Sequence, residues 1–208
     1  MLRLWGRATS SNVMKVIWTL EELGLSYERI DVGGPFGGTD TPQYRAMNPP
    51  GLVPTLEEDG GFTMFESNAI IRHICRAHAP GTTLWPDAVR ARAKVDQWMD
   101  CQGSSVRPLS TVFQGLVRVP PEKRDMAAIK QAMVDAGRVW SMVDTAIAAN
   151  GWIAGDTLTL ADIVWGVHVH RWFGLPIDPR PDLPHLRGWY DRLLERPAYK
   201  AHCAGAIV

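Results

Sequence analysis

The sequence predicts a protein in two parts: an α/β N-terminal half of order βαβ then ββα around a mixed four-stranded sheet, and an all-α helical C-terminal half. Three observations predict it. Short apolar runs alternate with helical periodicities up to about residue 79, whereas every periodic segment after residue 88 is helical. Between Ala79 and Asp87, the residues Pro80, Gly81 and Pro86 interrupt every pattern. This places domains at 1–79 and 88–208 with a linker at 80–87. With 208 residues, 46% of them apolar, the chain can bury a sizeable core.

Leu2-Arg3-Leu4-Trp5 reads as a first strand. A helix follows, carrying Val13, Val16, Ile17, Leu20 and Leu23 at helical spacing and stopped by Gly24. Tyr27 to Val32 is a second strand, and a short helix spans Pro42 to Met47. Val53 to Glu57 and Phe62 to Phe65 form a hairpin around Asp59-Gly60-Gly61, and a helix with Ile70, Ile71 and Ile74 closes the half. Beyond the linker, Ala88 to about Phe113 reads as one long helix bent at Pro108, which lacks a backbone donor. Arg124 to Ala149 is the next helix, ended by Asn150-Gly151. Thr159-Leu160-Ala161-Asp162 is a capping box, with Leu158 stapling onto Ile163. It opens a helix to about Trp172 whose apolar residues surround it, so it is buried. Leu183 to Glu195 and a short piece after Pro197 finish the chain.

Composition excludes several functions. Lys+Arg and Asp+Glu both total 22, and zero net charge argues against nucleic-acid binding by counterion release. No basic leader precedes an apolar run and no stretch of 18 apolar residues occurs, which predicts a soluble, cytoplasmic chain off the membrane. Cys75, Cys101 and Cys203 are odd in number and widely spaced, as expected of reduced thiols. No Cys-x-x-Cys exists for dithiol chemistry, and His168-x-His170 diverges on a helix, so no metal is expected.

Two segments form a candidate dock for a small peptide. Asn48-Pro49-Pro50-Gly51-Leu52-Val53-Pro54 places a proline at the mouth of a strand, where a cis bond at modest cost turns the Val53 N–H and C=O outward. Glu66-Ser67 lies where a strand ends and a helix begins, so unpaired N–H groups and a hydroxyl face one side. The Gly33-Gly34-Pro35-Phe36-Gly37-Gly38 cluster does not fit the spacing of a nucleotide loop.

With these motifs, βαβ-ββα, Val-Pro and Glu-Ser joined to a helical half with a box-capped buried helix, the whole chain resembles the cytosolic glutathione S-transferases. The resemblance implies a thioredoxin-like N-terminal domain. The runs Leu4-Trp5-Gly6-Arg7, Ser10-Ser11-Asn12-Val13, Lys15-Val16, Leu20-Glu21-Glu22-Leu23, Gly115-Leu116-Val117-Arg118 and Pro120-Pro121-Glu122 are similar to a bacterial serine/asparagine-type subgroup associated with small haloacids and alkyl halides.

The resemblance implies glutathione as co-substrate, a small electrophile as second substrate and a homodimer, in which Asp96, Gln97 and Asp100 on the long helix reach the partner's glutathione. It implies that Val53 pairs its backbone with the cysteinyl unit and that Glu66 and Ser67 hold the γ-glutamyl ammonium and carboxylate, roles that suit an acceptor and a hydroxyl at a helix N-terminus. The resemblance also implies that Leu52, Pro54 and Phe36 belong to the glutathione-binding residues. Leu52 stands where many relatives have Gln or Lys, and the glycine cluster lacks the His or Lys that often meets the glycine carboxylate.

The chemistry needs a thiolate. A free thiol has a pKa of about 8.5, and lowering it by two units takes about 2.7 kcal/mol of thiolate stabilisation. No cysteine lies near the first strand-to-helix turn, so the thiol belongs to the ligand, and Ser10, Ser11 and Asn12 are the donors there. Register with serine-type transferases points to Ser10 first and Asn12 second; all three are also ordinary helix caps, and only one can occupy the cap. For the electrophile, Trp5, Phe36, Trp98 and Phe113 are candidate walls, although aromatics at helical spacing usually serve a core. Arg7, Arg107 and Arg118 are candidate carboxylate partners, Arg118 first because it ends the matched Gly-Leu-Val-Arg run. The rival readings are a glutathione-dependent disulfide reductase and a non-catalytic interaction module on the same fold.

Overall fold

The computed structural model describes residues 1–208, which divide into two compact units, Met1–Trp85 and Pro86–Val208. In the first unit, β1 (Leu2–Trp5), α1 (Ser11–Glu22) and β2 (Tyr27–Ile30) form a parallel βαβ turn, with Leu2 opposite Tyr27 and Trp5 opposite Ile30. After α2 (Pro42–Met47) come β3 (Thr55–Glu58), β4 (Thr63–Phe65) and α3 (Ser67–His78). The sheet order is β2-β1-β3-β4, and β3 runs antiparallel to both neighbours, so the sheet is mixed as expected.

The apolar face of α1 (Val13, Val16, Ile17, Trp18, Leu20) and that of α3 (Ile70, Ile71, Ile74) are buried with Leu4 and Leu56 from the sheet. Helix α1 ends before Gly24, whose φ of 63° an L residue adopts reluctantly. A short 3-10 turn at Gly34–Phe36 stands where no element was expected.

The second unit contains helices only: α4 (Val89–Ser105), α5 (Arg107–Phe113), α6 (Met126–Asn150), α7 (Leu160–Gly174), α8 (Pro184–Leu194) and α9 (Pro197–His202). The long helix expected from Ala88 to Phe113 is broken at Val106 rather than bent at Pro108. Pro108 falls in the first turn of α5, where its missing N–H would have no helical partner, so a new helix start accommodates it better than a mid-helix gap. A single π turn, Gln114–Arg118, then extends α5. Helix α6 starts at Met126 instead of Arg124, because the Asp125 side chain caps it by accepting from the Ala128 N–H at 3.0 Å.

Helix α7 is almost wholly buried, as its apolar sequence predicts. Its capping box is present. The fully buried Asp162 carboxylate accepts from the Thr159 N–H (2.9 Å), the Thr159 hydroxyl (3.0 Å), the Ile153 N–H (3.0 Å) and Trp189 Nε1 (3.0 Å). Trp140 meets Trp165 edge-on at 5.8 Å between ring centroids, at the centre of this core. No helix is long and apolar enough to cross a membrane.

Candidate active site

The site in the first unit is built where three chain reversals meet. The first is the turn from β1 into α1. Gly6 leaves β1 and donates its N–H to Ile30 C=O at 2.9 Å. A Cβ on Gly6 would lie 2.6 Å from Val13 Cγ2 and 3.3 Å from Val53 Cβ, so only glycine lets this turn and the Val53 segment approach each other. Ser10 takes the N-cap position of α1 with extended backbone (φ −81°, ψ 125°), its C=O accepting from the Met14 N–H at 2.8 Å. Its hydroxyl oxygen accepts no capping hydrogen bond, so the side chain is not committed to its own helix. Ser11 is half-buried and Asn12 exposed.

The second reversal is the segment before β3. The Val53-Pro54 bond is cis. Three buried polar side chains fix this segment from behind. Tyr44 donates its hydroxyl to Leu52 C=O at 2.7 Å, Asn48 Nδ2 donates to Leu52 C=O (2.7 Å) and Thr55 Oγ1 (2.9 Å), and Thr55 donates to the Tyr44 hydroxyl at 2.9 Å. Pro54 is buried, Val53 half-buried and Leu52 65% exposed.

The third is the step from β4 into α3. Glu66, the N-cap residue, has φ 70° and ψ 105° and is the one non-glycine residue with positive φ. Such a conformation costs of order 1–3 kcal/mol and recurs at functional sites. It leaves the Glu66 carboxylate exposed beside the α3 N-terminus and turns Ser67 inward. Ser67 Oγ donates to Asn12 Oδ1 at 3.3 Å, linking the first reversal to the third.

Under this link lies Lys15, only 3% exposed on the buried face of α1. Its ammonium donates to Asn68 Oδ1 at 3.1 Å and approaches Ser67 Oγ at 3.5 Å. Burial lowers its pKa from 10.5 to about 8, and the Glu66 carboxylate pulls in the opposite direction. At neutral pH a positive charge therefore underlies the α3 N-terminus, where an anion is already favoured by the helix dipole. In the sequence Lys15 figures only in the Lys15-Val16 run of the resemblance. A lysine within the Val13-Val16-Ile17 stripe is the signal of its buried place.

Asn12, Asn48, Pro50, Leu52, Val53, Pro54, Phe65, Glu66 and Ser67 line one dimple of ≈ 30 Å³, room for a small charged group rather than a whole peptide. Among the expected glutathione-binding residues, Leu52, Val53, Pro54, Glu66 and Ser67 thus come together with Asn12, while Ser10, Ser11 and Phe36 do not line the dimple. Phe36 is 56% exposed on its 3-10 turn. Trp5 donates Nε1 to Glu57 Oε2 at 2.9 Å and meets Tyr44 edge-on, so its ring braces the sheet. Arg7 lies over the glycine cluster, its Cδ 3.0 Å from where a Gly34 Cβ would be.

In the second unit, Phe113 is buried, with the Arg171 guanidinium 3.8 Å and the Arg118 guanidinium 5.6 Å from its ring centroid. Its place is in that unit's core. Arg118 also donates to Val208 C=O at 2.9 Å. Arg107 is exposed at the edge of a cavity of ≈ 420 Å³ walled by Gly115, Val119, Ala128 and Ile129.

This architecture is shared with known proteins. Residues 4–82 match the glutathione S-transferase N-terminal domain and residues 112–197 the C-terminal domain. Glutathione S-transferase GstB of Escherichia coli (strain K12) is 39% identical over 204 residues, covering 96% of each chain. Glutathione S-transferase 3 of Zea mays is 33% identical over 207 residues, covering 96% of this chain and 91% of the maize protein. The crystal structure of the theta class glutathione S-transferase from Xanthomonas axonopodis pv. citri with glutathione bound superposes with a TM-score of 0.93 at 43% identity, covering 100% of this chain and 99% of the other. A thioredoxin-like unit, a helical unit and matches along both place the chain in the glutathione S-transferase family, as an enzyme of that class.

Proposed function

We propose that this chain binds glutathione through residues 1–79, activates its thiol, and directs it at small electrophiles, haloacids and alkyl halides among them, held by residues 88–208. The observation that carries the reading is the convergence of Val53, Glu66, Ser67 and Asn12 on one dimple above a buried cation. The dimple suits the γ-glutamyl carboxylate, with Ser67 and the α3 N-terminus as donors and Glu66 as acceptor for the ammonium. Val53 pairs with the cysteinyl backbone, and Leu52, Pro54 and Phe36 border the peptide.

Ser10 is the thiolate donor, supported by its uncommitted hydroxyl at the N-cap of α1; Asn12 holds Ser67 in place. The thiol proton leaves to solvent, the thiolate forms a bond to carbon, and the carbon–halogen bond breaks with its electron pair on the halide. Arg118 and Arg107 are the candidate partners for a carboxylate on the electrophile. The active form is a cytoplasmic homodimer.

Calorimetric titration with glutathione tests the reading first, and absence of binding at millimolar concentration would sink it. Ser10→Ala is expected to lower kcat toward bromoacetate by about a hundredfold, the effect of removing one donor from a developing anion, with little change in KM. Asn12→Ala is expected to raise KM instead. If Asn12→Ala alone abolishes turnover, Ser10 is not the donor; if a small mixed disulfide is consumed far faster than bromoacetate, the chain is a reductase.

A further inference from the structure

At the other end of β3 from the dimple, three side chains with metal-ligating atoms meet. Glu58 closes β3, and His73 and His78 lie on the last two turns of α3. Nε2 of His73 is 2.8 Å and Nε2 of His78 2.9 Å from the same Glu58 Oε1, and the three ligand atoms lie within 4.8 Å of one another. Each side chain keeps access to water, with exposures of 26%, 29% and 20% for His73, His78 and Glu58. The Phe62 ring lies 5.2 Å from the His73 imidazole and His78 meets it edge-on at 6.0 Å, which restricts both rings.

We propose that Glu58, His73 and His78 form a binding site for a divalent transition-metal ion, zinc first, with water completing the coordination. Two imidazole nitrogens and one carboxylate oxygen are the donor set of open zinc sites. With metal–ligand bonds of about 2.0–2.1 Å, tetrahedral ligand atoms are about 3.3 Å apart. The Glu58 contacts are shorter by about half an ångström, a gap that rotation of the carboxylate about its broad terminal torsion opens without moving the backbone. Residues five apart on a helix normally diverge by about 140°. Here they converge because His78 ends α3 and Glu58 draws both rings inward. One carboxylate with two neutral imidazoles gives a net negative site for a dication, and imidazole selects zinc, nickel or copper over magnesium and calcium.

Bound metal would join the end of β3 to the last turn of α3. Three residues of strand, about 10 Å, separate Glu58 from Thr55 beside the dimple, so glutathione turnover does not depend on the metal.

The full chain, stripped with chelator and dialysed, is titrated with zinc sulfate by calorimetry. One zinc per chain is expected at micromolar affinity, with nickel also bound and magnesium giving no heat at the same concentration. His73→Gln, His78→Gln and Glu58→Gln should each weaken zinc by about tenfold or more and remove the rise in Tm that zinc gives the parent, with turnover of bromoacetate unchanged. Absence of saturable zinc binding, or binding unaltered in the folded His73→Gln/His78→Gln variant, overturns the proposal. Should that variant not fold, cobalt(II) added to the parent decides. A visible spectrum of nitrogen and oxygen ligation supports the site, and a thiolate charge-transfer band places the metal on cysteine and overturns it.

Discussion

Lys15 carries the clearest single-residue consequence. Its pKa of about 8 in the folded chain lies below the 10.5 of an exposed lysine. Between those values the unfolded chain holds a proton that the folded chain has lost, so this group favours folding more as pH rises from about 8 to 10.5. Below pH 8 the full burial cost is present, about 3 kcal/mol. Lys15→Met is therefore expected to be more stable than the parent at pH 7 in urea denaturation, with the difference shrinking toward pH 10.5. The same variant should bind S-methylglutathione about tenfold more weakly if the α3 N-terminus takes the ligand carboxylate as proposed, because the cation beneath it is gone; unchanged binding would confine Lys15 to the core. Single residues also show the limit of the sequence. Val53-Pro54 and Glu66-Ser67 were legible because proline and a serine at a strand-to-helix step announce themselves. Burial of Lys15 and the positive φ of Glu66 were not, since both are imposed by distant packing.

At the scale of elements, periodicity located every strand and nearly every helix, and it failed where local chemistry overrides periodicity. The apolar spacing runs through Val106 unbroken, so nothing in it distinguishes a bend from a restart; the restart follows from seating Pro108 in a first turn. The π turn Gln114–Arg118 leaves no periodic trace at all. Gly115 explains its contact with α6, since a Cβ there would lie 2.6 Å from Ile129 Cγ1 and Cδ1. The capping box of α7 was fully legible, although the reach of Asp162 to Ile153 and Trp189 was not. Those four donors make Asp162 the keystone of α7: Asp162→Ala orphans buried groups from three segments and should lower stability by about 3–5 kcal/mol. Burial raises its carboxyl pKa to about 6 against the pull of the four donors. Between the unfolded value of 3.8 and about 6, the folded chain binds the extra proton, so this group adds stability as pH falls through that window. Urea midpoints of the parent and Asp162→Asn at pH 7 and pH 5 check the sign: the parent should gain on the variant at the lower pH.

For the whole molecule, the candidate ligand site lies in the smaller α/β unit, while the second unit is a tryptophan-rich helical core of its own. Glutathione at a hundred times its Kd adds about 2.7 kcal/mol to the bound form. For a chain of this length that raises Tm by about 5–10 °C, provided both units unfold together. A scan that resolves two transitions, only one of them moved by glutathione, would show that the units melt independently. The backbone of Glu66 adds a cost that such scans can detect. Glycine at this position would relax the turn, so Glu66→Gly should melt higher than the parent while holding glutathione less well. A chain selected only to fold would carry glycine there; if Glu66 holds the ligand as proposed, glutamate at this position trades thermal endurance for capture.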